Sequence, residues 1–181
     1  MPRLFVAVEV PEPVRAAVSS AVEPLRSALP GLRWIAPDRY HLTVVFIGSV
    51  DDKLVGALGD AVVAGCLGVG RFSLALDGRV GSFGRRVLWA GLEPSAALAE
   101  LAGAVAARVG QVVPLPDAER EFRAHLTLAR AGRADKVRDV GALGEVRVPR
   151  VSWEVGRVVL LRSAGGYQLE RAVLLSGVED T

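Results

Sequence analysis

His41-Leu42-Thr43-Val44 and His125-Leu126-Thr127-Leu128 carry nearly the same message twice in a chain of 181 residues. The chain has only two histidines, and each opens the same tripeptide. Its three threonines are at positions 43, 127 and 181, so two of them fall inside those tripeptides. Coincidence on this scale has odds on the order of 1 in 100,000, and we read the pair as an internal repeat. Each copy is apolar and β-branched enough to be a strand. The two-residue period of a strand then puts His and Thr of each copy on one face. The opposite face, with Leu42, Val44, Phe46, Leu126 and Leu128, is apolar and predicted to pack on helices.

Working outward, Arg3 to Val10 reads as a strand with both faces apolar, as expected for a central strand covered on both sides. Pro11 and Pro13 end it. A helical stripe of Val14, Val18, Val22, Leu25 and Leu29 follows, which Pro24 should kink or divide. Leu32 to Ile35 is a short strand, and the first His-Leu-Thr strand runs from about Tyr40 to Ile47. Asp51 or Asp52 can cap a helix beyond it, and Ser95 a helix through Val109. Phe72 to Leu76 and Val87 to Gly91 are strand-like, with a glycine-rich, arginine-bearing turn predicted from Gly78 to Arg86. A charged, irregular stretch from Pro114 to Arg123 leads into the second His-Leu-Thr strand. Asp135 to Leu143 reads as a short helix. Val148 to Arg162 is a long strand bent near Gly156, and Gly165-Gly166 turns the chain back into Gln168 to Leu175. The expectation is an α+β fold: a single unit over residues 1–181 made of two intertwined, pseudo-symmetric lobes. Duplicated strand-helix units would form largely antiparallel sheets lining a central cleft.

Hydrophobic residues make up 51% and charged residues 23%, enough apolar material for a sizeable core. Lysine occurs only at Lys53 and Lys136, leaving 20 arginines among the 22 basic residues. Arginine's rigid fork of donors suits phosphate, although a base-composition bias of the genome explains the enrichment equally well. No block of like charge suggests non-specific duplex binding. The lone cysteine, Cys66, lies in an apolar setting and reads as an inert buried thiol. Glu9 cuts the first apolar run short of a signal sequence or a membrane span, so a cytoplasmic protein with no membrane association is expected. It is taken to be a monomer.

If the two strands share a cleft, two imidazoles meet there. Histidine ionises near neutrality, so one ring can begin as a neutral base and the other as a charged acid. That pair suits in-line displacement at phosphorus. The hydroxyls of Thr43 and Thr127 can donate to the non-bridging oxygens. Such a site needs no cofactor and no metal. A zinc site would want three or four ligands, for which only Glu119 and Glu121 lie near the second motif. Arg130, by strict alternation from His125, falls on the opposite face and reaches a phosphate only if the strand ends or bulges there. Arg123 shares the parity of His125 and can line the cleft entrance. Trp34, Tyr40, Phe83, Trp89 and Tyr167 are candidate surfaces for stacking a base, with core packing as the plainer role for each. Phe46 is assigned to the core.

With these residues in view, the chain resembles the bacterial and archaeal RNA 2′,3′-cyclic phosphodiesterases, also described as 2′-5′ RNA ligases, of the two-histidine (2H) phosphoesterase superfamily. The resemblance runs through residues 32 to 48 around the first motif, Arg86 to Leu92, Phe122 to Arg130, and Leu161 to Tyr167. It implies His41 and His125 as the catalytic pair, His41 as acid and His125 as base, with Thr43 and Thr127 holding the phosphate. It also implies, without cofactor or metal, hydrolysis of a 2′,3′-cyclic phosphate at an RNA end to a 2′-phosphomonoester. Joining of tRNA halves through a 2′-5′ linkage occurs in some members. Ala124 stands where many relatives have proline. Two other readings remain open: the same site acting on a small cyclic nucleotide or ADP-ribose cyclic phosphate, and a non-catalytic RNA-binding module.

Overall fold

The run of five apolar residues after Arg3 forms β1 (Arg3–Glu9), and Pro11 and Pro13 set the entry to α1 (Glu12–Ala21). Pro24 divides the helical stripe: α2 (Glu23–Ala28) begins after a break at Val22. The computed structural model describes residues 1–132 and 142–176. After α2 come β2 (Arg33–Trp34), a 3₁₀ turn (Pro37–Arg39) and β3 (His41–Ser49). A 3₁₀ turn (Asp52–Leu54), opened by Asp51 Oδ1 accepting the Lys53 N–H at 3.1 Å, leads into α3 (Val55–Cys66). Next are β4 (Phe72–Phe83), β5 (Val87–Leu92) and α4 (Ala96–Val109), whose Ser95 cap accepts the Leu98 N–H at 3.2 Å. The irregular stretch 114–123 then delivers β6 (His125–Arg130), followed by β7 (Ser152–Val155), β8 (Arg157–Ser163) and β9 (Tyr167–Leu174). Most of the helix expected over Asp135–Leu143 lies outside the described residues.

The strands lie in the order β7-β4-β5-β6-β3-β1-β8-β9, antiparallel at every named pairing. From its middle outward this order is palindromic: β6 mirrors β3, β5 mirrors β1, β4 mirrors β8 and β7 mirrors β9. The two His-x-Thr strands are therefore equivalent strands of two half-sheets, as the repeat demanded. They meet at one register pair, Leu42 opposite Leu126. Beyond that pair β3 leaves the edge of β6, and β2 takes its place with Arg33 opposite Arg130 and Trp34 opposite Ala129. The divergence opens a cleft between the halves. The helices α3 and α4 pack on one another, α4 against β3 and α3 against β9, and Ala99, Ala102, Gly103 and Ala106 of α4 border the cleft. Burial in this layer pushes the Cys66 thiol up to about 11. Among the described residues no helix is long and apolar enough to cross a membrane.

Strict alternation fails at the same place in both repeats. Thr43 faces Ala7 but Val45 faces Val6, so Val44 is an extra residue. Thr127 faces Trp89 but Ala129 faces Leu88, so Leu128 is the corresponding one. A β-bulge inserts one residue and thereby reverses the facing of everything after it. Two expectations change as a result. Phe46, opposite Phe5, turns to the cleft side and joins a small cluster with Phe5, Ala7, Val159 and Leu161 instead of the main core. Arg130, opposite Val87, turns to the cleft side as well. The second face of β1 is likewise closed by this cluster and not by a helical layer.

Two further readings are corrected. Gly78 to Arg86 is not a turn: β4 runs on to Phe83, and only residues 84–86 reverse the chain. The glycines make room for neighbours. Asp77, Gly78 and Arg79 bulge opposite Gly91, and a side chain on Gly91 would stand 2.5 Å from the buried Asp77 carboxylate. That carboxylate accepts the Arg79 N–H at 2.8 Å and its guanidinium at 2.6 and 2.8 Å. A side chain on Gly81 would meet the Trp89 ring at 2.4 Å. Val148–Arg162 is not one strand either. Gly156 separates β7, paired with β4, from β8, paired with β1, so one residue links opposite halves of the curled sheet.

Leu126 is fully buried at the junction of the halves. Leu126→Ala should destabilise the protein by about 2–5 kcal/mol, the range for a cavity left by a buried leucine. Urea unfolding checks this as a lowered midpoint at unchanged slope.

Candidate active site

The cleft has a volume of about 990 Å³, and His41, Thr43, His125, Thr127 and Arg130 all line it. The Leu42–Leu126 pairing explains their convergence. An antiparallel register through that pair sets His41 across from Thr127 and Thr43 across from His125. The two histidines are then diagonal neighbours, with Cα atoms about 7–8 Å apart. Each imidazole thus has a hydroxyl on its own strand and another directly across.

The rings are held alike. His41 Nδ1 lies 2.8 Å from the Arg39 carbonyl, and His125 Nδ1 lies 2.7 Å from the Arg123 carbonyl. A carbonyl only accepts, so in each ring Nδ1 carries the proton and Nε2 is the nitrogen left to react. Aromatic edges fix the ring planes. Tyr167 meets His41 at 5.1 Å and 87°, and Phe83 meets His125 at 5.0 Å and 89°. Phe5 lies against His41 at 4.9 Å.

Burial holds both imidazoles below their ordinary value of 6.5, the carbonyl bonds oppose this, and the charge of Arg130 lowers both further. His41 also feels the charge of His125. One cation therefore acts on both rings. A bound phosphate, opposite in sign to Arg130, would raise both and favour a protonated member of the pair.

The rest of the lining is largely apolar, with the arginines Arg3, Arg33, Arg120 and Arg123 and the carboxylates of Asp117 and Glu121 among it. Arg120 pairs with Asp117 at 3.2 Å and Arg123 with Glu121 at 3.5 Å, both on the surface. Arg3 stands over the Phe46 ring, 5.0 Å from its centroid. Among the described residues no three His, Cys, Asp or Glu side chains converge. Of the proposed stacking surfaces, Phe83 and Tyr167 line the cleft. Tyr40 is buried in the core, Trp34 packs on it with Nε1 donating to the Leu29 carbonyl at 3.1 Å, and Trp89 packs against Phe83. Reading the sequence missed Phe5 and Arg3. The signal for both was present, since they share the face of β1 that turns out to border the cleft.

A family model described as the 2′-5′ RNA ligase superfamily matches residues 10–166. This chain belongs to the 2′-5′ RNA ligase superfamily, among the two-histidine phosphoesterases. It is 30% identical over 163 residues to a Geobacillus stearothermophilus protein named RNA 2′,3′-cyclic phosphodiesterase. That match covers 88% of this chain and 51% of the relative, so the chain spans about half of that protein's length. An Archaeoglobus fulgidus protein of the same name is 29% identical over 157 residues, covering 81% of this chain and 86% of the relative. Among solved structures, E. coli LigT complexed with 3′-AMP superimposes with a TM-score of 0.73 at 26% identity, over 97% of this chain and 99% of that one. The superfamily fold is thus present across nearly the whole chain, with both His-x-Thr strands inside the matched region.

In this superfamily member the depressed imidazoles make a titration test. Arg130→Gln should move both histidines up towards 6.5, because a repelling charge is removed from each. NMR titration of the two rings reads this directly, and an unchanged pair would mean that Arg130 does not share their field.

Proposed function

We propose that this chain is a metal-independent RNA 2′,3′-cyclic phosphodiesterase that uses His41 and His125 as an acid/base pair. The observation that carries the reading is the arrangement of two Nε2 atoms, each with Nδ1 tied to a carbonyl, in one arginine-lined cleft beside two threonines. The names of the relatives and the nucleoside monophosphate in the E. coli LigT structure support the substrate class. The arginines that share the cleft lining, Arg3, Arg33, Arg120, Arg123 and Arg130, favour a polyanionic RNA end over a small cyclic nucleotide, which would fit a short, closed cleft.

In the proposed reaction, neutral His125 Nε2 takes a proton from water as the water oxygen attacks phosphorus. The P–O3′ bond breaks in line, and protonated His41 gives its Nε2 proton to O3′. A 2′-phosphomonoester and a free 3′-hydroxyl result. Thr43, Thr127 and Arg130 meet the charge that builds on the non-bridging oxygens, the last as a cation whose charge reaches both rings. The pseudo-two-fold relation makes the two histidines near-equivalent, so their roles exchange in reverse. With a 5′-hydroxyl in place of water as the attacking group, the same forward step would break P–O3′ and form a 2′-5′ linkage, for example between tRNA halves.

Incubation with an oligonucleotide ending in a 2′,3′-cyclic phosphate, in excess chelator, tests the reading. A 2′-phosphate product is expected, and His41→Ala or His125→Ala should each lower kcat by a factor of about 10² to 10⁴. Loss of wild-type turnover in chelator would overturn the metal-free mechanism. RNA binding without any turnover would instead make this a binding module. The rate should follow a bell in pH, with both limbs belonging to the coupled pair and not to single residues.

A further inference from the structure

His41 and His125 occupy equivalent places, yet the residue two positions before each behaves differently. Arg39 and Arg123 both offer a backbone carbonyl to the following imidazole. The Arg123 guanidinium then points to Glu121 at 3.5 Å, with side chains 68% and 80% exposed, so solvent screens the contact. The Arg39 guanidinium instead crosses to the turn between β8 and β9. Its Nη2 donates to the Gly165 carbonyl at 2.8 Å, and its Cζ stands over the Tyr167 ring, 5.6 Å from the centroid. Tyr167 in turn presents its edge to His41 and to Phe5, the latter at 5.1 Å and 73°. The contacts close a circuit: Arg39 carbonyl to His41, His41 to Tyr167, Tyr167 to the Arg39 guanidinium. In the other half Phe83 stands at His125 with the same interplanar geometry, while the equivalent arginine, Arg123, pairs with Glu121.

We propose that Arg39 is a positioning residue for His41, clamping the β8–β9 turn against the imidazole so that its plane and its Nδ1–H tautomer are held. It touches neither the phosphate nor the reacting atoms. Its effect passes through one ring only. Without the clamp, Tyr167 is free to swing off the ring, and His41 keeps its orientation only by Phe5 on one side and one hydrogen bond to a carbonyl in a three-residue 3₁₀ turn. An imidazole that turns over about its Cβ–Cγ bond puts Cδ2 where Nδ1 was and Cε1 where Nε2 was, so the Arg39 carbonyl no longer selects the Nδ1–H tautomer and no ring nitrogen stands where Nε2 was aimed. Preorganisation of this kind acts on the rate of the chemical step and leaves substrate binding nearly alone. The inference rests on the two-histidine reading given above.

The test compares wild type with Arg39→Gln, Arg39→Lys and Tyr167→Leu, using imidazole nitrogen NMR of the free protein beside steady-state turnover of the cyclic-phosphate oligonucleotide. In wild type, His41 should be the Nδ1–H tautomer. In Arg39→Gln, an Nε2–H population should appear at His41 with His125 unchanged, and kcat should fall about tenfold with KM moving less than about twofold. Arg39→Lys, which can still donate to the Gly165 carbonyl but cannot lie flat on Tyr167, should recover part of kcat. Tyr167→Leu should disturb His41 in the same sense, which keeps the question answerable if Arg39→Gln folds poorly. An unchanged His41 tautomer in both Arg39→Gln and Tyr167→Leu overturns the proposal, even if the melting temperature falls. A wild type inert towards the cyclic phosphate would sink the proposed function instead, and the NMR comparison would then decide the clamp alone.

Discussion

Everything at the cleft depends on one narrow contact, the single register pair between Leu42 and Leu126 where the two half-sheets touch. Both residues are essentially inaccessible to solvent, and each stands between the histidine and the threonine of its own strand. Burying the middle residue of His-x-Thr forces the outer two to the other face, because strand side chains alternate. Doing so on two antiparallel strands at one point brings all four polar groups together in a crossed pattern. A broader contact would have zipped β3 and β6 into a continuous sheet. The handover from β3 to β2 along β6 keeps a floor under the cleft while its walls separate.

The paired bulges then do something that the repeat alone cannot. Each places the residue five positions after its histidine on the cleft side, and there the two copies part in chemistry. One supplies Arg130, a cation that acts on both imidazoles. The other supplies Phe46, beneath the guanidinium of Arg3. A symmetric scaffold thus holds an asymmetric charge distribution. The same division recurs around the rings, where similar aromatic contacts meet both histidines, while Arg39 beside His41 reaches the β8–β9 turn and Arg123 beside His125 pairs with Glu121.

Desolvation and charge pull the imidazoles the same way, and only the carbonyl bonds resist. A site left in that condition favours neutral rings and waits for an anion to restore a proton. Phosphate is the group that both the ring electrostatics and the arginine lining would welcome.

Much of this was legible from the chain itself. Two histidines in the same tripeptide identified the repeat, its polarity identified the facing of His and Thr, and the Ser95 cap, a cap at Asp51 or Asp52 and the Pro24 break marked helix ends by local chemistry. These features are set by nearest neighbours, so a linear reading recovers them. Tertiary structure decided what depends on a partner strand. Whether Val44 and Leu128 count as paired or extra residues is defined only by β1 and β5, and with it the facing of Phe46 and Arg130. Gly81 looks like a turn residue, and Gly91 like a plain strand end, until Trp89 and Asp77 are seen to fill the space of their missing side chains. Gly156 looks like a bend within one strand until β7 and β8 pair at opposite ends of the sheet order. Alternation and capping belong to the chain, whereas register and close approach belong to the contact between chain segments far apart in sequence.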